Sequence, residues 1–249
     1  MNPPASYTPI NLDQQAFFFG TAGAGKSYRL RKQVKAREAL LAKRGIALNL
    51  YKIVIIDTKP VGYGQDDALG HFSDMGGTII HDWRDFDPNR IQTRIIVYRP
   101  RQEDIRPQTF EEFFGFLRGI QYTDRQGKLS QYPFLLAIDE LTDVITADGK
   151  RVVYLQNLDK ILRQGRESLQ TIWIATQYPV FIDPSIKRLA TVRFLFRLPD
   201  PKDRRMMVGY FGSRLVDKPI RDRHGFWYQN DLIEPTTIEP RYYTGVNQA

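Results

Sequence analysis

The sequence predicts an α/β domain: a mostly parallel sheet with helices on both faces. Three observations carry that prediction. Short apolar runs alternate with helix-length segments along most of the chain, as in strand–helix–strand units. The runs Tyr51–Ile56, Phe134–Ile138 and Thr171–Ala175 are continuously apolar and too short for helices, which suits strands buried on both faces. One run, Ala16–Phe19, leads straight into the glycine-rich segment Gly20–Ser27, and a helical pattern follows at once.

In order along the chain, residues 1–14 are polar and Pro-containing and are expected to form a surface arm. Ala16–Phe19 is a short buried strand. Ser27 to Lys43 is a helix, with Leu30, Val34 and Leu41 as its buried stripe and Gly45 as its stop. Arg29, Arg31, Lys32, Lys35, Arg37, Lys43 and Arg44 make the rest of that helix basic, which fits a solvated face or one turned toward DNA. After the strand Tyr51–Ile56, residues 61–77 are glycine-rich and read as loop. Thr78–Ile80 and Arg94–Tyr98 are further strands, with a polar turn-like segment between them. Thr109 and Glu112 form a capping box before an aromatic helix face of Phe113, Phe114, Phe116, Leu117 and Ile120. Thr123–Gln131 is an exposed loop. Val152–Arg163 reads as a helix with Leu155, Leu158 and Leu162 on one side, capped by Gly165. Val192–Phe196 is the last clear core strand, Pro201–Tyr210 a short basic helix, and Gly225–Tyr228 the start of a terminal hairpin.

Composition narrows the function classes. The 249 residues are 42% hydrophobic, enough for a sizeable core. There is no cysteine, which excludes disulfides and thiolate metal sites and suits an intracellular protein. His71, His81 and His224 lack zinc-type spacing. No apolar run approaches the ~20 residues of a membrane span, and the N-terminus has neither the basic region nor the apolar core of a signal peptide. The net charge of +8 favours a polyanionic partner such as nucleic acid.

The chemistry starts at Gly20, Thr21, Ala22, Gly23, Ala24, Gly25, Lys26 and Ser27, which fit G-x-x-x-x-G-K-[ST]. Glycines let the backbone turn its N–H groups inward at a helix N-terminus, forming an anion nest. Lys26 can reach the β- and γ-phosphates of a nucleoside triphosphate, and the Ser27 hydroxyl can ligate Mg²⁺. Asp139 and Glu140 end the strand Phe134–Ile138 in a Walker B pattern: the aspartate holds the metal shell and the glutamate activates water. A small-molecule kinase does not need that glutamate, so the pair favours hydrolysis. Gln177 ends the next strand, at the sheet edge that faces the ligand crevice, where it can sense the γ-phosphate. Arg163 and Arg166 flank Gly165. Either can serve as an arginine finger across a subunit interface, or simply complement the helix dipole.

Taken together, Gly20–Ser27, Ile56–Lys59, Leu136–Glu140, Arg163–Glu167 and Ala175-Thr176-Gln177-Tyr178-Pro179 resemble the FtsK/HerA superfamily of DNA-pumping ATPases. The resemblance covers about residues 15–198, with Thr58 where a proline is frequent in the family. It implies a RecA-like P-loop NTPase core over residues 15–212, between the arm and a C-terminal extension of residues 213–249. It also implies ATP and Mg²⁺ as cofactors, a homohexameric ring with ATP between subunits, and double-stranded DNA in a basic channel. A bare core of this size is similar to the genome-packaging ATPases of tailless, membrane-containing viruses. A capsid or membrane-vertex protein is then a further expected partner, in the cytoplasm or on the virion. The competing readings are a nucleotide-gated assembly or binding module that acts on a protein partner and, third, another P-loop NTPase such as a kinase, against which Glu140 argues.

Overall fold

The computed structural model describes residues 10–59, 72, 75–123, 127–147, 151–211, 220, 225–230 and 241–243. The arm residues 1–9, most of the 61–77 loop, His71, His224 and most of the tail lie outside these. In chain order the elements are β1 (Ala16–Phe19), α1 (Lys26–Lys43), β2 (Lys52–Ile56), β3 (Thr78–Ile80), β4 (Ile95–Tyr98), α2 (Pro107–Gly119), β5 (Gln121–Thr123), β6 (Leu129–Gln131), β7 (Phe134–Ile138), α3 (Leu141–Ile145), β8 (Thr146–Ala147), β9 (Arg151–Val152), α4 (Gln156–Gln164), β10 (Gln170–Thr176), α5 (Pro184–Leu189), β11 (Val192–Phe196), α6 (Pro201–Phe211), β12 (Phe226–Asn230) and β13 (Arg241–Tyr243).

One nine-stranded sheet organises the molecule, in the order β13-β12-β11-β1-β10-β7-β2-β4-β3. From β11 to β3 every pairing is parallel, and β12 and β13 add to the β11 edge antiparallel. β10 lies between β1 and β7, so the glycine-rich loop and the acid pair leave strands that flank a common neighbour. Period-2 alternation sends each strand's residues to two cores. Phe17, Phe19, Ile172 and Ile174 face one core, built with α2, α3, α4 and α6. Phe18, Trp173, Ala175 and Phe194 face the other, built with Leu30, Val34 and Leu41 of α1. Helices therefore cover both faces, as the sequence predicts.

Local readings needed correction where tertiary partners decide. α2 begins at Pro107 rather than after a capping box; Arg106 is its N-cap without a side-chain bond. Proline fits the first helical position, where no N–H donor is needed. Where a loop is expected over 123–131, Leu129–Gln131 is a strand, β6, paired antiparallel with β5 (Gln121–Thr123). The helix expected from Val152 starts at Gln156, because Arg151–Val152 pairs with Thr146–Ala147, and α3 precedes that pair. The β-branched pair Val152-Val153 favours extended backbone, which the apolar periodicity alone did not register. Gly165 does follow α4, but in right-handed conformation (φ −68°). A Cβ there would lie 2.4 Å from Gln170 O, so close approach is what requires glycine. Residues 10–14, expected in a surface arm, include buried Ile10, Leu12 and Gln14. Nor is the basic side of α1 all surface, since Arg29 and Arg37 are buried. Arg37 donates to Asn11 O, Leu12 O and Tyr51 Oη, and lies 4.7 Å over the Trp173 ring.

Candidate nucleotide-binding site

Parallel strands place the residues that follow them on one edge of the sheet, and the candidate site is built there. Behind β1 the chain is pinned by its strand neighbours. Gly20 N–H donates to Thr176 O at 3.2 Å and Thr21 N–H to Arg197 O at 3.1 Å. A Cβ on Gly20 would meet Phe196 Cβ at 2.6 Å. Gly23 (φ 69°) and Gly25 (φ 97°) take left-handed backbone, which turns the chain into α1. Gly25 is the N-cap and supplies no side-chain acceptor, so the helix's first amides have no side-chain cap.

Ala22, Gly23, Gly25, Lys26 and Ser27 line a cleft of about 300 Å³ together with Tyr28, Arg31, Lys59, Asp139, Glu140 and Gln177. The structure thus brings the loop, the acid pair and Gln177 into one cavity. Gly20, Thr21 and Ala24 support the loop from behind rather than lining it. Lys26 is buried, and its Nζ donates to Thr21 O at 2.9 Å. Burial pushes its ammonium down to about 8, while Glu140 and Asp139 pull it back up. Phosphate oxygens beside it would favour the charged form further.

Asp139 and Glu140 are both buried. Glu140 caps α3: its Oε1 accepts from Thr142 N–H and from Gln177 N–H, each at 3.3 Å. The main chain of Gln177 therefore holds the glutamate in place. Both carboxylate oxygens of Asp139 are buried without a hydrogen-bond partner among the described residues. A buried carboxylate oxygen beside the Ser27 hydroxyl is the hard-oxygen donor set that Mg²⁺ takes, its remaining positions going to water and phosphate. The residues present fit that ion.

Sequence reasoning left Lys59, Tyr28 and Arg31 out of the site. In the sequence Lys59 stands out only as part of the Ile56–Lys59 motif. The signal that would have placed it is positional, because it follows β2, the sheet neighbour of β7, on the ligand edge. Its segment is firmly anchored. Asp57 is fully buried and pairs with Arg99 at 3.1 Å, and Thr58 Oγ1 donates to Asp143 Oδ2 at 2.6 Å. Burial raises the carboxyls of both Asp57 and Asp143, with Arg99 opposing this at Asp57 and the Thr58 hydroxyl at Asp143.

Neither arginine reaches this cleft within one chain. Arg163 Nε binds both oxygens of Asp159 at 2.8 Å, one turn back on α4. Arg166 Nη2 lies 3.4 Å from Asp13 Oδ2, with both side chains largely exposed.

Strand order, glycine loop and acid pair together define a RecA-like P-loop NTPase core. No protein-family model matches the chain, and no curated protein sequence does. Among solved structures it is similar to B204, the DNA-packaging ATPase of Sulfolobus turreted icosahedral virus. The TM-score is 0.63 at 15% identity, over 94% of this chain and 98% of that one. The genome-packaging NTPase B204 of Sulfolobus turreted icosahedral virus 2, solved with AMPPCP, gives 0.63 at 16% identity over the same shares, 94% and 98%. VirB4 of Thermoanaerobacter pseudethanolicus gives 0.53 at 9% identity, over 94% and 92%. At these identities the likeness is one of fold.

Proposed function

We propose that the protein hydrolyses ATP with Mg²⁺ and uses the energy to move double-stranded DNA, as a packaging motor. The observation that carries the ATPase reading is the convergence of Lys26, Ser27, Asp139, Glu140 and Gln177 on one cleft. In this reading the loop amides and Lys26 bind the β- and γ-phosphates, and Ser27 and Asp139 hold the metal, which neutralises charge on the transferred phosphoryl group. Glu140, fixed by two main-chain amides, orients water and takes its proton. The Gln177 side chain reports whether the γ-phosphate is present. Arg163 or Arg166 completes a neighbour's site in a ring, since both lie away from their own.

Support for DNA as the substrate comes from the two packaging NTPases of the same fold and from the net charge of +8. A protein partner is favoured by a different observation. Just past Gln177, Tyr178, Val180 and Phe181 are 49%, 50% and 42% exposed, an apolar surface coupled by sequence to the sensor. ATP turnover measured with and without duplex DNA, with oligomer size alongside, separates the two. Stimulation by duplex in a ring supports the motor. A ring whose turnover ignores DNA supports the protein-directed switch.

A further inference from the structure

Lys59 Nζ lies 3.0 Å from Ser27 Oγ and 2.5 Å from Asp139 Oδ2. Ser27 and Asp139 are the two residues that the proposed function gives to Mg²⁺, so an ammonium of the chain itself bridges the same pair. The arrangement answers a physical need. Asp139's side chain is 1% exposed, and a buried carboxylate with no partner is strongly disfavoured. Lys26, a second cation of the cleft, feels the Asp139 charge but donates its hydrogen bond to Thr21 O. A Mg²⁺ held about 2.0–2.1 Å from Ser27 Oγ and an Asp139 oxygen would sit against that ammonium, two repelling cations on the same two side chains. The metal and Lys59 must therefore exclude one another.

The way out is built in. Asp57 and Thr58 are fixed by Arg99 and Asp143, so the backbone up to Lys59 stays put while its flexible side chain swings. That side chain is 34% exposed and already lines the cleft that would receive the phosphates. We propose that Lys59 is a built-in stand-in for the metal. In the nucleotide-free protein it closes the Ser27–Asp139 site. Metal arriving with nucleotide expels it, and the freed ammonium then bonds phosphate oxygens in the same cleft. Metal entry is thereby coupled to delivery of a cation to the nucleotide.

This inference rests on the nucleotide-site reading, and the test keeps the two apart. Mn²⁺ alone is titrated into the full-length, nucleotide-free protein, and free Mn²⁺ is followed by its paramagnetic resonance signal. Lys59→Met should bind Mn²⁺ about tenfold more tightly than wild type, because the competing charge is gone. Arg31→Met removes one positive charge from the same cleft wall without touching the Ser27–Asp139 bridge, and should change affinity less than about threefold. Equal gains in the two variants would reduce Lys59 to background charge and overturn the inference. A second readout needs no variant: competitive acetylation of wild-type lysines, read by mass spectrometry. Lys59 should become several-fold more reactive at saturating Mn²⁺ while buried Lys52 does not change. Unchanged Lys59 labelling overturns the inference. Binding of a fluorescent ATP analogue to wild type is measured in parallel. If the analogue binds while both Lys59 results fail, only the stand-in role falls. If it does not bind at all, the nucleotide-site reading falls first.

Discussion

Lys26 and Glu140 face the same cleft and should fail in different ways. Lys26→Ala removes the cation for the β/γ-phosphates, so nucleotide affinity should drop by about two orders of magnitude or more, read by fluorescence titration. Glu140→Gln preserves size and an oxygen acceptor for the Thr142 and Gln177 amides but cannot accept a proton. It should bind ATP normally and lose at least about a hundredfold in turnover. Unchanged turnover would remove the base assignment. Both residues were legible in the sequence, because the loop and the acid pair are short local patterns at the ends of apolar runs. Lys59 was not legible as a site residue. Its partners Ser27 and Asp139 lie on other elements, and only the strand order makes them neighbours. The same holds for Gly20, a turn glycine by pattern whose further constraint, Phe196, sits on β11.

At the scale of elements, α1 shows why a charge pattern is a poor guide to a surface. Its exposed cations include Lys32, Lys35 and Lys43, with Arg44 exposed at its C-cap, whereas Arg37 is inside. Arg37 is held by two carbonyls of the Asn11–Leu12 segment, the Tyr51 hydroxyl and the Trp173 face. None of these partners lies on α1, so helical periodicity cannot reveal the role. Arg37→Met keeps much of the packing volume but strips those bonds and leaves acceptors unmatched. It should cost about 2–4 kcal/mol in denaturant unfolding and speed amide exchange in residues 10–15 selectively. A stability loss without faster exchange there would mean that α1, and not the N-terminal segment, depends on Arg37. The same lesson applies at α3 and the β8–β9 pair. Five-residue and two-residue elements carry almost no periodic signal: α3 is held by packing on β10 and α2, and β8 and β9 are defined by pairing with each other.

At the scale of the whole molecule, the parallel sheet was readable because buried strands write themselves as continuous apolar runs. The order of those strands was not readable, because pairing is a long-range property. What the chain does in an assembly lies one step further out. Arg163 and Arg166 are the residues that bear on it. If one of them completes a neighbour's site, its alanine variant should bind ATP and fail to hydrolyse it. Mixing that variant with the Lys26→Ala protein should then restore part of the turnover, because some mixed interfaces hold one intact copy of each part. No recovery at any mixing ratio, with subunit exchange demonstrated, would count against both arginines.

A motor that moves along DNA must grip the backbone without reading bases, or it would stall at preferred sequences. Lysine and arginine contacts to phosphate supply such grip, and they weaken with salt as counterions return. Net charge alone does not identify the gripping face, because part of it is spent inside the protein. Arg29 and Arg37 are buried, Arg99 pairs with Asp57, and Arg204 caps the carbonyls of Leu198 and Pro199. The cations left on the surface of α1, its C-cap and α6 include Lys32, Lys35, Lys43, Arg44, Lys202 and Arg205. Duplex binding should therefore be indifferent to sequence and tighter with ATP than with ADP. Affinity should fall on a logarithmic salt plot with a slope of about −0.9 per phosphate neutralised. Fluorescence anisotropy on unrelated duplexes across a salt series measures all three. Lys32→Glu with Lys35→Glu, and separately Lys202→Glu with Arg205→Glu, should each flatten the slope if that helix faces the duplex, leaving DNA-free ATP turnover intact. An unchanged slope in both would move the grip elsewhere on the chain. Failure of the wild type to bind any duplex at low salt, in its ATP-bound assembly, would remove DNA as the substrate and leave the exposed Tyr178–Phe181 surface as the route by which hydrolysis is read out.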